Sequence, residues 1–176
     1  MTLDYVKSKI RAIPDFPKKG IMFRDITTLL KDSKGFNFVI DEFVLRYEKM
    51  DVDFVVGIES RGFILGAALA HRLDVGFIPI RKKGKLPAEV IREEYSLEYG
   101  TDVVEMHKDA LKKGNKVLLV DDLLATGGTA CAACKLIEKM GAIIVECAFV
   151  IDLPDLGGKT KLAPHKVYAM VEFEGE

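Results

Sequence analysis

Four short apolar runs narrow the architecture more than anything else in these 176 residues: DFVVG (Asp53 to Gly57), VGFIPI (Val75 to Ile80), KVLLV (Lys116 to Val120) and IIVECAFVI (Ile143 to Ile151). Several are apolar at consecutive positions, which suits strands covered on both faces rather than strands with one wet side. Helical spacing fills the gaps over Ser60 to His71 and Gly128 to Met140, and VYAMVEF (Val167 to Phe173) reads as a last strand. Strands alternating with helices predict an α/β fold built on an open parallel sheet flanked by helices.

Two stretches depart from that rhythm. At the start, Leu3, Val6, Ile10 and Ile13 recur at helical spacing behind Thr2 until Pro14 stops them, and a Pro-, Gly- and Lys-rich loop leads into IMFRDITTLL. A second helix follows Ser33, with Val39, Ile40, Phe43, Val44 and Tyr47 on one face. Residues 82 to 107 carry Gly84, Pro87, Gly100, many charges and the alternating EVIREEY, which predicts a β-flap or mobile loop rather than a core crossover. With 49% hydrophobic residues the chain can bury one core but not two independent ones. A single domain over 1–176 is expected, with an N-terminal helix and small hood over 1–32, a core over 33–155 interrupted by the flap, and a C-terminal segment over 156–176.

The 26 basic and 27 acidic residues nearly cancel, so overall charge implies neither nucleic acid nor an anionic membrane as a partner. No apolar run reaches the length of a membrane span, and MTLDYVKSKI mixes charges into its apolar positions unlike a secretory signal, so a cytoplasmic setting is expected. Cys131, Cys134 and Cys147 are an odd number. Cys131 and Cys134 form a CxxC inside an Ala-rich helical stretch, which fits buried packing rather than a metal or redox site.

The chemistry concentrates in KVLLVDDLLATGGT, Lys116 to Thr129. A buried strand ends in two adjacent carboxylates, and a Thr-Gly-Gly-Thr turn then opens a helix. Ligands of open parallel sheets bind beyond the carboxyl ends of the strands. Gly127 and Gly128 clear side chains from a helix start whose free N–H groups suit a phosphate. Asp121 and Asp122 would repel that phosphate but accept hydrogen bonds from sugar hydroxyls, so the ligand carries a ribose and a phosphate. GIESRGF (Gly57 to Phe63) repeats the strand-to-helix logic as a second anion site, with Arg61 adding charge.

VLLVDDLLATGGT resembles the phosphoribosyl pyrophosphate (PRPP) motif of the type I phosphoribosyltransferases, and DDLLATGGT is similar to that of their adenine-specific members. PDFPKKGIMFRDIT, GIESRGF, IRKKGKLP and YSLEYG also look like family segments in the family's order, so the resemblance spans essentially the whole chain. It implies a type I phosphoribosyltransferase-like sheet with an N-terminal hood and a flap. It further implies transfer of the phosphoribosyl group from PRPP to N9 of adenine, giving AMP and pyrophosphate.

By that likeness Ala125, Thr126, Gly127, Gly128 and Thr129 would hold the 5′-phosphate, and Asp121 and Asp122 the ribose 2′ and 3′ hydroxyls. Glu59, Ser60, Arg61, Arg81 and Lys85 would face the pyrophosphate, while Lys82 and Lys83 are expected to be solvated. Glu98 would be the catalytic-loop glutamate that handles a proton, and Tyr99 its neighbour in the flap. Met22, Phe23 and Arg24 would form the adenine-binding hood strand, with Phe23 stacking on the base and Leu153 packing on its other side. Backbone groups near Met22 and Arg24 suit a 6-amino group and N1, a pattern that a 6-oxopurine would reverse. The resemblance also implies magnesium held mainly by PRPP, pyrophosphate and water, no dedicated protein metal site, and a homodimer.

LPDLGGKT ends like a Walker A loop, but the position of that motif's first glycine is Leu153. His71, His107 and His165 have no mutual spacing suited to a metal or a triad. Two other functions compete: a sister enzyme acting on a 6-oxopurine, and a non-catalytic PRPP sensor. The second should carry a helix-turn-helix or a strongly basic face, and neither is seen in the sequence. Lys159 stands where the family is expected to carry arginine.

Overall fold

A computed structural model describes residues 1–96 and 100–175. Its centre is a seven-stranded sheet in the order β5-β6-β4-β3-β7-β8-β9. Five neighbouring strands are parallel: β4 (Gly76–Lys82), β3 (Phe54–Ile58), β7 (Lys116–Leu124), β8 (Ile143–Asp152) and β9 (Val167–Glu172). The flap segment forms an antiparallel hairpin, β5 (Val90–Ser96) and β6 (Thr101–His107), and β6 extends the sheet beside β4 through Arg81↔Glu105 and Lys82↔Val104.

The consecutive apolar residues divide between two buried layers, as a strand's alternation requires. Val117 and Leu119 of β7, with Cys147 and Phe149 of β8, face helix α5 (Gly128–Lys139). Leu118 and Val120, with Ala148 and Val150, face the other layer, where α3 (Ser33–Tyr47) and α4 (Arg61–Leu73) lie over α1 (Leu3–Lys9) and α2 (Thr27–Lys31). Cys134 and Cys147 meet across the first layer with sulfurs 3.7 Å apart, both buried and free; Cys131 is half-buried. No helix among the described residues is long and apolar enough to cross a membrane.

Three boundaries differ from the sequence reading. The first helix stops at Lys9, and Arg11–Pro14 becomes β1, paired antiparallel with β2 (Met22–Asp25) in the register Ile13↔Phe23. The helical spacing of Ile10 and Ile13 loses to a partner strand eleven residues further on. Helix α3 begins at Ser33 rather than after it, with Asp32 as its cap: the Asp32 carboxylate accepts from the Gly35 amide at 3.1 Å and from the Tyr5 hydroxyl at 2.7 Å. Finally, β7 does not end before the paired acids but runs through Asp121 and Asp122 to Leu124, with β8 alongside as far as Asp152. A short 3₁₀ turn (Pro154–Leu156) and α6 (Gly158–Leu162) then lead to β9.

Candidate active site

One cavity of about 310 Å³ gathers three separate segments: Ile58 to Arg61 after β3, Lys82 at the end of β4, and Asp121 to Ala130 from the end of β7 into α5. All three lie at carboxyl ends of parallel strands, where helix starts and strand ends leave a crevice. The 5′-phosphate candidates Ala125 to Thr129 form one wall, and Gly127, at φ +75°, takes a left-handed conformation that admits no ordinary side chain without strain. Amides of the first turn of α5 consequently open toward the cavity as an anion seat.

The acids occupy successive positions of one strand and therefore point to opposite sides. Asp122 is only 3% exposed and accepts from Arg61 Nε at 2.5 Å, a charge-assisted bond that offsets its burial. Asp121 Oδ1 accepts from the Asp122 amide at 2.9 Å. Burial, with the Asp122 charge beside it, pushes the Asp121 carboxyl well above the ordinary carboxylate range, and Arg61 pulls in the other direction. Asp121 is crowded because α4 starts directly over it: a Cβ on Gly62 would lie 2.8 Å from the Val120 carbonyl and 2.9 Å from Asp121 Oδ1. Gly62 thus lets the 58–61 turn approach β7 closely.

Glu59, Ser60 and Arg61 all line the cavity, and the Glu59–Ser60 peptide is cis. Glu59 accepts from Arg81 Nε and Nη2, both at 3.1 Å, and from the Lys82 amide at 3.0 Å, and the Arg81 guanidinium holds its carboxyl below the ordinary range. Arg81 also donates to the Lys85 carbonyl at 3.2 Å. Neither Arg81 nor Lys85 is among the described residues lining the cavity, whereas Lys82, expected to be solvated, is. Its ammonium bonds the Tyr95 hydroxyl at 2.9 Å and the Asp102 carboxylate. Tyr95 and Asp102 face each other across the β5–β6 hairpin, so Lys82 ties that hairpin to the cavity rim. Glu98 and Tyr99 lie outside the described residues.

Met22, Phe23 and Arg24 sit on β2 in the two-stranded hood, outside the cavity lining. Arg61 joins the two regions: its guanidinium carbon lies 6.0 Å from the Phe23 ring centroid while its Nε holds Asp122. Phe23 packs edge-on to Phe16 at 5.1 Å, and Arg24 lies 4.2 Å over the Phe173 ring. Leu153 is buried, its amide donating at 2.9 Å to the carbonyl of Leu124, a cavity residue. Among the described residues no cluster of three or more His, Cys, Asp or Glu side chains could hold a metal ion. The carboxylates of Asp121 and Asp122 are hard oxygen donors at the cavity floor, a set that fits magnesium carried mainly by ligand oxygens and water.

The sequence profile of the phosphoribosyl transferase domain matches residues 30–173. The adenine phosphoribosyltransferase of Chlorobium phaeovibrioides is 61% identical over 175 residues, 97% of this chain and 99% of that protein, and that of Chlorobium phaeobacteroides is 62% identical over the same shares. Among solved structures, the adenine phosphoribosyltransferase of Thermoanaerobacter pseudethanolicus superposes with a TM-score of 0.95 at 50% identity, covering 98% of this chain and all of that one. The Saccharomyces cerevisiae enzyme, complexed with an imino-altritol bisphosphate and adenine, gives 0.92 at 40% identity, over 96% and 98% of the two chains. By sequence along its whole length and by fold, the chain belongs to the adenine phosphoribosyltransferase family.

Proposed function

We propose that the chain transfers the 5-phosphoribosyl group of PRPP to N9 of adenine, releasing pyrophosphate and forming AMP. The observation that carries this reading is the convergence, in one cavity, of a glycine-bounded helix start and two adjacent carboxylates at a strand end. A 5′-phosphate on the Ala125–Thr129 loop places a ribose over Asp121 and Asp122, which accept from its 2′ and 3′ hydroxyls. The reacting C1 then lies between the acids and the 59–61 turn.

Breaking the bond from C1 to pyrophosphate leaves positive charge on the ribose ring, as in glycoside cleavage. Asp122, oriented by Arg61, stabilises that charge, and burial, with Asp122 beside it, lets Asp121 hold a proton to higher pH than an isolated carboxylate. Lys82 and Arg61 supply the cations nearest the leaving oxygens. Magnesium, when bound, neutralises pyrophosphate oxygens as a Lewis acid. Phe23 stacks on adenine with Leu153 opposite, the hood backbone near Met22 and Arg24 reads the 6-amino edge, and Glu98 accepts or relays the N9 proton. The working unit is a homodimer in the cytoplasm.

Incubating the protein with PRPP, magnesium and adenine, hypoxanthine, guanine or orotate in turn tests the reading. AMP from adenine is expected as the dominant product; preference for another base would overturn the specificity, and no transfer to any base would favour a PRPP sensor.

A further inference from the structure

The Walker-like segment LPDLGGKT lies beside the phosphate loop, packed backbone to backbone against it. A Cβ on Gly158 would sit 2.3 Å from the Ala125 carbonyl oxygen and 2.8 Å from Leu124 Cγ, and a Cβ on Gly127 would sit 3.0 Å from the Gly158 carbonyl oxygen. The two glycine-rich turns therefore fix each other's shape. Gly158 opens α6, a helix of five residues and too short to be stable unaided, so something else must hold it in place.

The next residue supplies that hold. Lys159 Nζ lies 2.8 Å from Asp152 Oδ2 and 2.5 Å from Glu172 Oε1. Asp152 is 0% exposed and ends β8; it is the register partner of Leu124 on β7 and of Glu172 on β9. One ammonium thus pins α6 to the ends of β8 and β9, next to the end of β7, and it is the cation paired with a fully buried carboxylate.

We infer that Lys159 is a positioning residue for PRPP: through Asp152 and Glu172 it presses Gly158 against Ala125–Gly127 and holds that loop in its phosphate-binding shape. This rests on the 125–129 loop being the phosphate seat, but not on which base is used. It also gives the GGKT sequence, which binds no nucleotide as a Walker loop, a mechanical role beside the phosphate.

The test is calorimetric titration with ribose 5-phosphate, which needs the loop and no catalysis, alongside melting curves. Lys159→Met is expected to weaken ribose 5-phosphate binding about tenfold, as loosened positioning does, and to raise KM for PRPP similarly while KM for adenine stays unchanged. Lys159→Arg, which keeps the charge, restores both. Lys159→Met combined with Asp152→Asn removes the stranded buried charge, so it regains melting temperature without regaining ribose 5-phosphate affinity. If Lys159→Met does not fold, Glu172→Gln, which cuts only the exposed half of the anchor, is expected to weaken binding about threefold. Unchanged affinity in folded Lys159→Met or Glu172→Gln, or affinity in the double variant returning in step with stability, would overturn the inference. A wild type that binds ribose 5-phosphate but makes no AMP would sink the proposed function and leave the brace standing.

Discussion

At the scale of single residues, the site is governed by who pairs with whom. Arg61 donates to Asp122, whereas burial, with the Asp122 charge beside it, raises the Asp121 carboxyl above its ordinary range, so the two acids are not equivalent. Asp122→Asn removes the carboxylate that Arg61 orients and is expected to lower kcat/KM about a hundredfold in an adenine-to-AMP assay, comparable to losing a preorganised charge contact elsewhere. Lys82→Met should raise KM for PRPP about tenfold, whereas Lys83→Met should leave it within about twofold, measured by initial rates at saturating adenine. Equal effects would mean that the run of lysines acts only as a field. The place of Lys82 in the cavity lining could have been found in the sequence: alternation puts it on the face of Ile78 and Ile80, and both of those are buried in the core. The partner of Arg81 could not, because Glu59 lies 22 positions away on another strand end.

Among the secondary-structure elements, the parallel strands and α5 were legible because burial on both faces writes itself as uninterrupted apolar runs. The hood was legible in composition but not in form, since Ile10 and Ile13 satisfy helical spacing and only pairing with β2 decides otherwise. That hairpin is fastened by Asp25, which accepts from Arg11 Nη2 at 2.5 Å and from the Thr27 amide at 2.9 Å; the Arg11 bond, with Thr27, brings its pKa down to about 2. A depressed carboxylate contributes stability above its unfolded pKa of about 4 and loses it as pH falls toward the folded value. The stability lost between pH 4 and 2 should therefore be about 1 kcal/mol larger in the wild type than in Asp25→Asn, given the exposed Arg11, as read from urea unfolding at each pH. Parallel acid profiles would refute this. For the start of α4, Gly62→Ala drives a methyl against the Val120 carbonyl at 2.8 Å, with Asp121 Oδ1 at 2.9 Å and the Asp121 Cα at 3.2 Å. We expect a loss of about 1–3 kcal/mol in urea unfolding together with weaker PRPP binding, because the 58–61 turn must lift from the acids.

At the scale of the whole molecule, two expectations concern what the chain works with. Chelation of magnesium should abolish transfer and its return should restore the rate; full activity in excess chelator would exclude the ion from the reaction. Light scattering should give twice the 19.6 kDa chain mass, with exposed Leu45 on α3 and Ile64 on α4 as apolar surface for a second copy. Neither expectation could be argued from periodicity: an ion carried mainly by substrate would leave no ligand cluster in the sequence, and a dimer face would be written in exposed side chains that look like any others. The placement of β7 carries a final consequence. It lies between β3 and β8 in the sheet interior, with Asp121 and Asp122 near its carboxyl end, while the hood and the β5–β6 hairpin hang at the periphery. Amides of Val117 to Val120 should exchange with deuterium only when the entire molecule opens, whereas those of β1, β2 and β5 exchange through smaller excursions. The floor proposed to hold the ribose would then be as durable as the protein itself, and drift in the sequence could retune which base is admitted at the soft margins without loosening the grip on the sugar.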